Sequence, residues 1–214
     1  SLCDVRRRNV TRLETNLKDL SYLMWSTKSE LLVIGTAKGN VVVYNQETRI
    51  KIPVLGKHPR RITCGAWSDD NSLALGSEDK TLTLSDESGD TREQTELKDA
   101  PTEMVFGTQQ KEESTTHLSV NMAGKSLLLM DLKNPIAPLE LAFQKRYGSI
   151  VRHEWFGSDG YILLGFSEGF VVVVSTLISE IGEERFSGRF HHRALYDIAY
   201  SPTLNYAAVA GDDG

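Results

Sequence analysis

An all-β fold assembled from repeated four-stranded units is what this sequence predicts, and three observations predict it. Helical periodicity is nearly absent along the 214 residues. Short runs rich in Val, Ile, Leu, Thr and aromatics stand in its place, separated by Gly, Asp, Asn and Lys turns. They include Leu31–Gly35, Val41–Tyr44, Leu73–Gly76, Thr81–Leu84, Leu127–Met130, Tyr161–Gly165 and Phe170–Val174, the mark of many short strands. Finally, an aromatic closes a run at Trp25, Trp67, Phe106, Trp155 and Tyr200, at intervals of 42, 39, 49 and 45 residues. A period of about 40–45 residues with four strands per unit is the signature of a β-propeller.

The register follows from a second column. After each aromatic come a polar turn, an apolar strand and a small or polar strand end, at Gly35, Gly76, Asn121, Gly165 and Ala210. A tight turn and a third apolar strand follow. That strand ends where a WD repeat carries its Trp-Asp pair. Here the slot reads Cys3-Asp4, Tyr44-Asn45, Ser85-Asp86, Met130-Asp131 and Val174-Ser175, so the Asp is kept in three of five and the Trp in none. Such decay is tolerable because blades are stabilised by stacking on their neighbours. The expected architecture is an incomplete WD-repeat ring. Residues 1–19 end one blade, 20–56, 57–97, 98–145 and 146–189 are four whole blades, and 190–214 begin a further one. The remaining blades are expected outside this stretch, as is the native N-terminus, since no methionine opens the chain. All five aromatics are expected on innermost strands, largely buried between blades.

Bulk properties narrow the function classes. The composition is 40% hydrophobic, ample for a core, and the net charge of −5 argues against a nucleic-acid binder. Two cysteines, Cys3 and Cys64, make no disulfide framework, and a reducing compartment is the natural reading. The longest apolar run, Phe170–Val174, is far short of a membrane helix, and no signal-peptide pattern is present.

Candidate chemistry is thin. Gly124-Lys125-Ser126 resembles the end of a phosphate loop, but Ser119 stands where the first Gly is required and no helix follows. His58, His117, His153, His191 and His192 show neither a His-Glu-x-x-His pattern nor a Cys-x-x-Cys partner, so no metal is expected. His58 and His191-His192 precede first strands, where a WD-repeat His bonds within its own blade. Asn9-Val10-Thr11 is a glycosylation triplet without a secretory route. Asp69-Asp70 and Asp212-Asp213 lie in turns, where Asp caps its own backbone. The polar stretch Gly107–Thr116 reads as a solvent loop, with partner docking as the sharper alternative. No catalytic residue, cofactor or small-molecule substrate is expected.

Several stretches are more particular than a generic propeller. Ile50-Lys-Ile-Pro-Val-Leu-Gly-Lys-His58 runs into Arg61-Ile-Thr-Cys-Gly-Ala-Trp67. Leu73–Lys80, Leu139–Gln144 and Ile162–Ser175 follow in order. Together they resemble the first propeller of the WD-repeat and helical-repeat subunit of intraflagellar transport complex A, the WD-repeat-domain-nineteen family, over essentially the whole chain. The resemblance implies two N-terminal propellers before a helical solenoid. It also implies a non-enzymatic scaffold for retrograde ciliary transport and cargo admission, at the cilium and basal body on the cytoplasmic side. The implied partners are other subunits of that complex, membrane-cargo adaptors and the retrograde motor. A vesicle-coat scaffold and a peptide-reading ubiquitin-ligase receptor are the rival readings, which fold alone does not separate.

The register also sorts charge. In a propeller, the segments leading into first strands share a face with the turns between second and third strands. The lead-ins carry Lys57, Arg60, Arg61, Lys98, Lys145, Arg146, Arg189 and Arg193, and the turns add Lys38, Lys80 and Lys125, diluted by Glu78, Asp79, Glu168, Asp212 and Asp213. The other face carries Asp69, Asp70, Asp86, Glu87, Asp90, Glu112, Glu113 and Asp159. One basic face is therefore expected. Its candidate binding residues are Lys57, Arg60, Arg61, Lys145, Arg146, Arg189 and Arg193, facing an acidic partner surface or an anionic membrane.

Overall fold

Each polar turn between apolar runs closes a hairpin, and the hairpins chain into small antiparallel sheets. The computed structural model describes residues 1–54, 58–107, 117–133, 138–156 and 160–213. The Gly107–Thr116 stretch beyond its first residue lies outside the described residues, as does Lys57. A short hairpin, β1 (Leu2–Asp4) and β2 (Asn9–Thr11), comes first. The next sheet is β3 (Leu20–Trp25), β4 (Leu31–Thr36), β5 (Val41–Asn45) and β6 (Lys51–Val54). It is followed by β7 (Ile62–Trp67), β8 (Leu73–Ser77), β9 (Thr81–Ser85) and β10 (Thr91–Glu96), then by β11 (Pro101–Gly107), β12 (His117–Met122), β13 (Ser126–Asp131) and β14 (Leu139–Ala142). A 3-10 turn, Lys145–Tyr147, leads into β15 (Ile150–Phe156), β16 (Tyr161–Phe166), β17 (Phe170–Ser175) and β18 (Glu184–Arg189). The hairpin β19 (Leu195–Ser201) and β20 (Tyr206–Gly211) ends the described chain.

Within each four-stranded sheet the strands pair in chain order. The first strands β3, β7, β11, β15 and β19 stand side by side at the centre. The sheets do not close on one another, so the architecture is an open all-β WD-type propeller.

The core sits in the seams between blades. One cluster joins Val33 and Val43 of the β3–β6 blade to Ile62, Trp67 and Leu73 of the next. Another joins Leu82 and Leu84 to Phe106, Leu118 and Met130. A third joins Leu127 and Leu129 to Trp155, Leu164 and Val172. Each aromatic thus faces the blade before it, as a bulky ring gains most from burial in a seam. Trp67, Phe106 and Trp155 are each 8% exposed. Tyr200 is half-buried against Phe156, with ring centroids 5.4 Å apart. Trp25 departs from expectation. It is 43% exposed, its ring lining an open cavity together with Leu2, Asn9 and Thr11 of the β1–β2 hairpin and Tyr44.

Every first strand carries a register shift at the same place: Leu20/Tyr22, Ile62/Cys64, Pro101/Glu103, Ile150/Arg152 and Leu195/Asp197. The residue after each shift pairs with Gly35, Gly76, Asn121, Gly165 or Ala210 respectively. That column is small because the next blade's first strand crowds it. A Cβ on Gly35 would meet Ile62 at 3.0 Å, and one on Gly165 would meet Ile198 at 2.8 Å. Asn121 instead reaches across, its Nδ2 donating to the Ile150 carbonyl at 3.3 Å.

The degenerate Trp-Asp slot keeps its oxygen for a local reason. Asp4 Oδ1 accepts from the N–H groups of Arg6 and Arg7, Asp86 Oδ1 from Ser88 and Asp90, and Asp131 Oδ1 from Lys133. Asn45 and Ser175 do the same for Thr48 and Leu177. The slot's second residue folds the turn that follows the third strand, a duty indifferent to whether Trp precedes it.

Candidate interaction face

The segments leading into first strands and the turns between second and third strands are stitched together by backbone hydrogen bonds. Glu78 N–H donates to the Arg61 carbonyl at 2.9 Å, Ile150 N–H to Gly124 at 2.8 Å, Glu168 N–H to Tyr147 at 3.1 Å and Asp212 N–H to Ala194 at 2.9 Å. This juxtaposition recurs from blade to blade and creates one continuous side of the molecule.

Two histidines brace that side. His58 is buried, its Nδ1 3.1 Å from Asp79 Oδ2 and its Nε2 2.9 Å from Thr83 Oγ1. Burial pushes its pKa below the ordinary value, against the opposing pull of Asp79. Partial burial raises the Asp79 carboxyl, but hydrogen bonds from Thr81 and the contact with His58 bring it below the usual range on balance. His191 pairs its Nδ1 with Asp213, which also accepts the His192 N–H at 2.7 Å. Asp213 is held down to about 2, first by that N–H and then by His191. Both histidines bond within their own blades. Their backbones also abut the preceding blade: a Cβ on Gly39 would lie 1.9 Å from the His58 carbonyl oxygen, and one on Gly169 the same distance from that of His191. Among the described residues no group of three or more His, Cys, Asp or Glu is placed to hold a metal.

The basic residues fall into two kinds. Lys80, Lys98 and Lys125 are neutralised where they stand. Asp99 lies 3.8 Å from Lys80 and 2.9 Å from Lys125, and Lys98 bonds Glu140. Arg60, Arg61, Lys145, Arg146, Arg189 and Arg193 are exposed and make no ion pair among the described residues. Arg60 and Arg61 stand just before β7, two blades from Lys145, Arg146 and Arg189 and three from Arg193. Arg146 and Arg189 are brought together around Phe170, with guanidinium carbons 5.9 and 5.6 Å from its ring centre. On the opposite side, Asp69 pairs with Lys28 at 3.8 Å and Asp86 with Arg92 at 3.5 Å.

Sequence reasoning missed a polar network at the centre. Glu103 takes Arg152 Nε at 3.1 Å and the N–H and Nδ1 of His153, and Arg152 Nε is also 3.4 Å from Asp197. Ser119 Oγ lies 2.8 Å from His153 Nε2 and accepts the Trp155 indole N–H at 2.7 Å. The signal was present: Glu103, Arg152 and Asp197 each stand three residues before an aromatic anchor, but on different blades.

Comparison with known proteins agrees with this architecture. The family model of the WDR19 first beta-propeller matches residues 1–214. WD repeat-containing protein 19 of Mus musculus is 42% identical over 217 residues, covering 99% of this chain, and the Homo sapiens protein has the same identity and coverage. WD repeat-containing protein dyf-2 of Caenorhabditis elegans is 35% identical over 218 residues, also covering 99% of this chain. The chain spans 16% of the length of each of these relatives. Among solved structures, the Cps50 (Swd1) beta-propeller domain of Myceliophteria thermophila superimposes with a TM-score of 0.73 at 15% identity, covering 91% of this chain and 63% of that one. The computationally designed Ika8 protein gives 0.72 at 16% identity, covering 91% and 56%. These two likenesses concern fold alone.

Proposed function

The chain belongs to the WD repeat-containing protein 19 family, as its first propeller, and from that premise we propose that it is a non-catalytic scaffold within the intraflagellar transport A complex. The carrying observation is family membership across residues 1–214. In this reading the propeller works at the cilium and basal body, on the cytoplasmic side. It holds other subunits of the complex, together with membrane-cargo adaptors and the retrograde motor, during retrograde transport and cargo entry. The open run of seams supports it: stacked blades give a rigid platform with loops on two sides, a geometry suited to protein–protein contact. Affinity purification of the full-length protein from ciliated cells tests the reading. Ciliary transport subunits are expected, and recovery of vesicle-coat or ubiquitin-ligase subunits in their place overturns it.

The docking side in this proposal is the one bearing Lys57, Arg60, Arg61, Lys145, Arg146, Arg189 and Arg193. An acidic protein surface gains roughly 1 kcal/mol or less per exposed pair and loses it with salt. Replacing Arg60, Arg61, Arg189 and Arg193 with Glu in the full-length protein should weaken complex assembly. Wild-type assembly and wild-type liposome binding at low and physiological salt would remove this face from the proposal.

A further inference from the structure

We infer that Arg146, Phe170 and Arg189 form a preorganised clamp for a carboxylate-bearing segment of a partner protein. This rests on reading that side as the docking face, and narrows it to one place and one chemistry.

The two guanidiniums share one aromatic ring. Arg146 Cζ stands 5.9 Å from the Phe170 centroid and 5.1 Å from that of Tyr147, and Arg189 Cζ stands 5.6 Å from Phe170. The ring's negative face offsets part of the repulsion between like charges gathered there. Both side chains are also fixed from below. Arg146 Nη2 donates to the hydroxyl of buried Tyr147 at 3.2 Å, and that hydroxyl donates to Glu184 at 2.9 Å. Arg189 Nε faces the carbonyls of Glu168 and His191 at 3.1 and 3.2 Å, while its Nη2 donates to His192 at 3.2 Å. Rotamer entropy that a free arginine loses on binding is already lost here.

The charge is nevertheless unspent. Among the described residues neither guanidinium has a carboxylate within ion-pair distance, whereas Lys80, Lys98 and Lys125 do. Two neighbouring acids are engaged elsewhere, Glu184 by Tyr147 and Asp213 by His191 and His192. Arginine carries five N–H donors, and those not aimed at carbonyls or at Tyr147 remain for a ligand. A narrow segment meets the two arginines and the exposed part of Phe170. A broad anionic membrane would also meet Glu168 and Asp213, both in turns on the same side. Two carboxylates flanking one apolar side chain therefore fit best, the carboxylates on the guanidiniums and the apolar group on the ring.

Fluorescence anisotropy with the full-length protein tests this, using a labelled heptapeptide in which two glutamates flank a leucine. Binding is expected to weaken with salt, to fall about tenfold in Arg146→Gln, and to fall further in the Arg146→Gln/Arg189→Gln double variant. Phe170→Leu should weaken it by a smaller factor, and Arg92→Gln, on the opposite side, should leave it unchanged. Arg146→Gln removes a single hydrogen bond, so it remains informative if the Arg189 variant folds poorly. The inference is overturned if the glutamine version of the peptide binds equally, if Arg146→Gln binds like wild type, or if phosphatidylserine vesicles bind and the peptide does not. A phosphoserine version binding through the same arginines supports the clamp. Peptide failure alongside intact recovery of ciliary subunits rejects the clamp alone, whereas loss of those subunits from the wild-type protein rejects the function beneath it.

Discussion

Glu103 on β11 holds His153 on β15 by two hydrogen bonds to one oxygen, from the backbone N–H at 3.0 Å and from ring Nδ1 at 2.7 Å. The pair crosses a blade seam, and Arg152 extends it to Asp197 on the next first strand. Three consecutive blades are therefore tied by side chains where their innermost strands meet, which apolar packing alone would leave free to slide.

Glu103→Ala should loosen that seam. It strands the fully buried His153 ring and removes one of the two carboxylates on Arg152. Deleting the acceptor of these buried hydrogen bonds costs about 1–3 kcal/mol. Hydrogen exchange in the full-length protein should accelerate in β11 and β15 while β3–β6 stays unchanged. Uniform exchange across all blades would show that the network is not a seam clamp.

Acid should weaken the β7–β10 blade through His58. Its pKa is lowered in the fold by burial, so below the ordinary value of 6.5 the unfolded chain binds more protons than the folded one. Stability from neutral His58 is thus fully present above pH 6.5 and is lost progressively as pH falls below it. In His58→Gln this source of pH dependence disappears, while the amide still reaches Thr83 and Asp79. The melting temperature of wild type should fall more steeply than that of the variant between pH 6.5 and 5. Parallel curves would deny His58 the role.

Much of this was legible because the repeat is written in side-chain size. The aromatic every 40-odd residues marks the inner strand, and the small residue after it marks where the next blade comes close, at Gly35, Gly76 and Gly165. Trp25 reads identically to Trp67 in the sequence, yet its ring lines an open cavity beside the two-stranded hairpin, and no local pattern carries that. The Glu103–His153 pair was equally hidden, since its members lie 50 residues apart. Arg146 and Arg189 were legible as charges; that they share Phe170 was not, because the ring that unites them reads as one more strand residue.

Gly39 and Gly169 carry the same duty three seams apart. Each has positive φ, +79 and +82, and each faces a histidine carbonyl that a Cβ would strike at 1.9 Å. The turn demands left-handed backbone, and the neighbouring blade forbids the side chain. Gly39→Ala should therefore cost at least about 2 kcal/mol, combining strained backbone with displaced main chain. Lys80 takes φ +64 at the matching turn of the β7–β10 blade, so Lys80→Gly should be neutral or slightly stabilising. Melting of both variants in the full-length protein decides the matter, and an unaffected Gly39→Ala would mean that the seam yields.

Trp67 and Trp155 occupy equivalent positions, equally buried, yet their indole N–H groups differ. Trp155 Nε1 donates to Ser119 Oγ at 2.7 Å, whereas Trp67 Nε1 is buried with no hydrogen-bond partner among the described residues. Phe in either place removes similar volume and leaves a similar cavity, so the difference between the two variants isolates the hydrogen bond. At Trp155 the substitution breaks a bond worth about 1 kcal/mol and leaves Ser119, which also contacts His153, short of a donor. At Trp67 it deletes a donor whose desolvation was never compensated, which offsets part of the packing loss. Trp155→Phe should accordingly be the more destabilising of the two by about 1–2 kcal/mol. The check is paired denaturant titration of the two variants in the full-length protein, following exchange protection of β7 and β15. Equal losses at the two sites would mean that the Ser119 bond adds nothing to the seam.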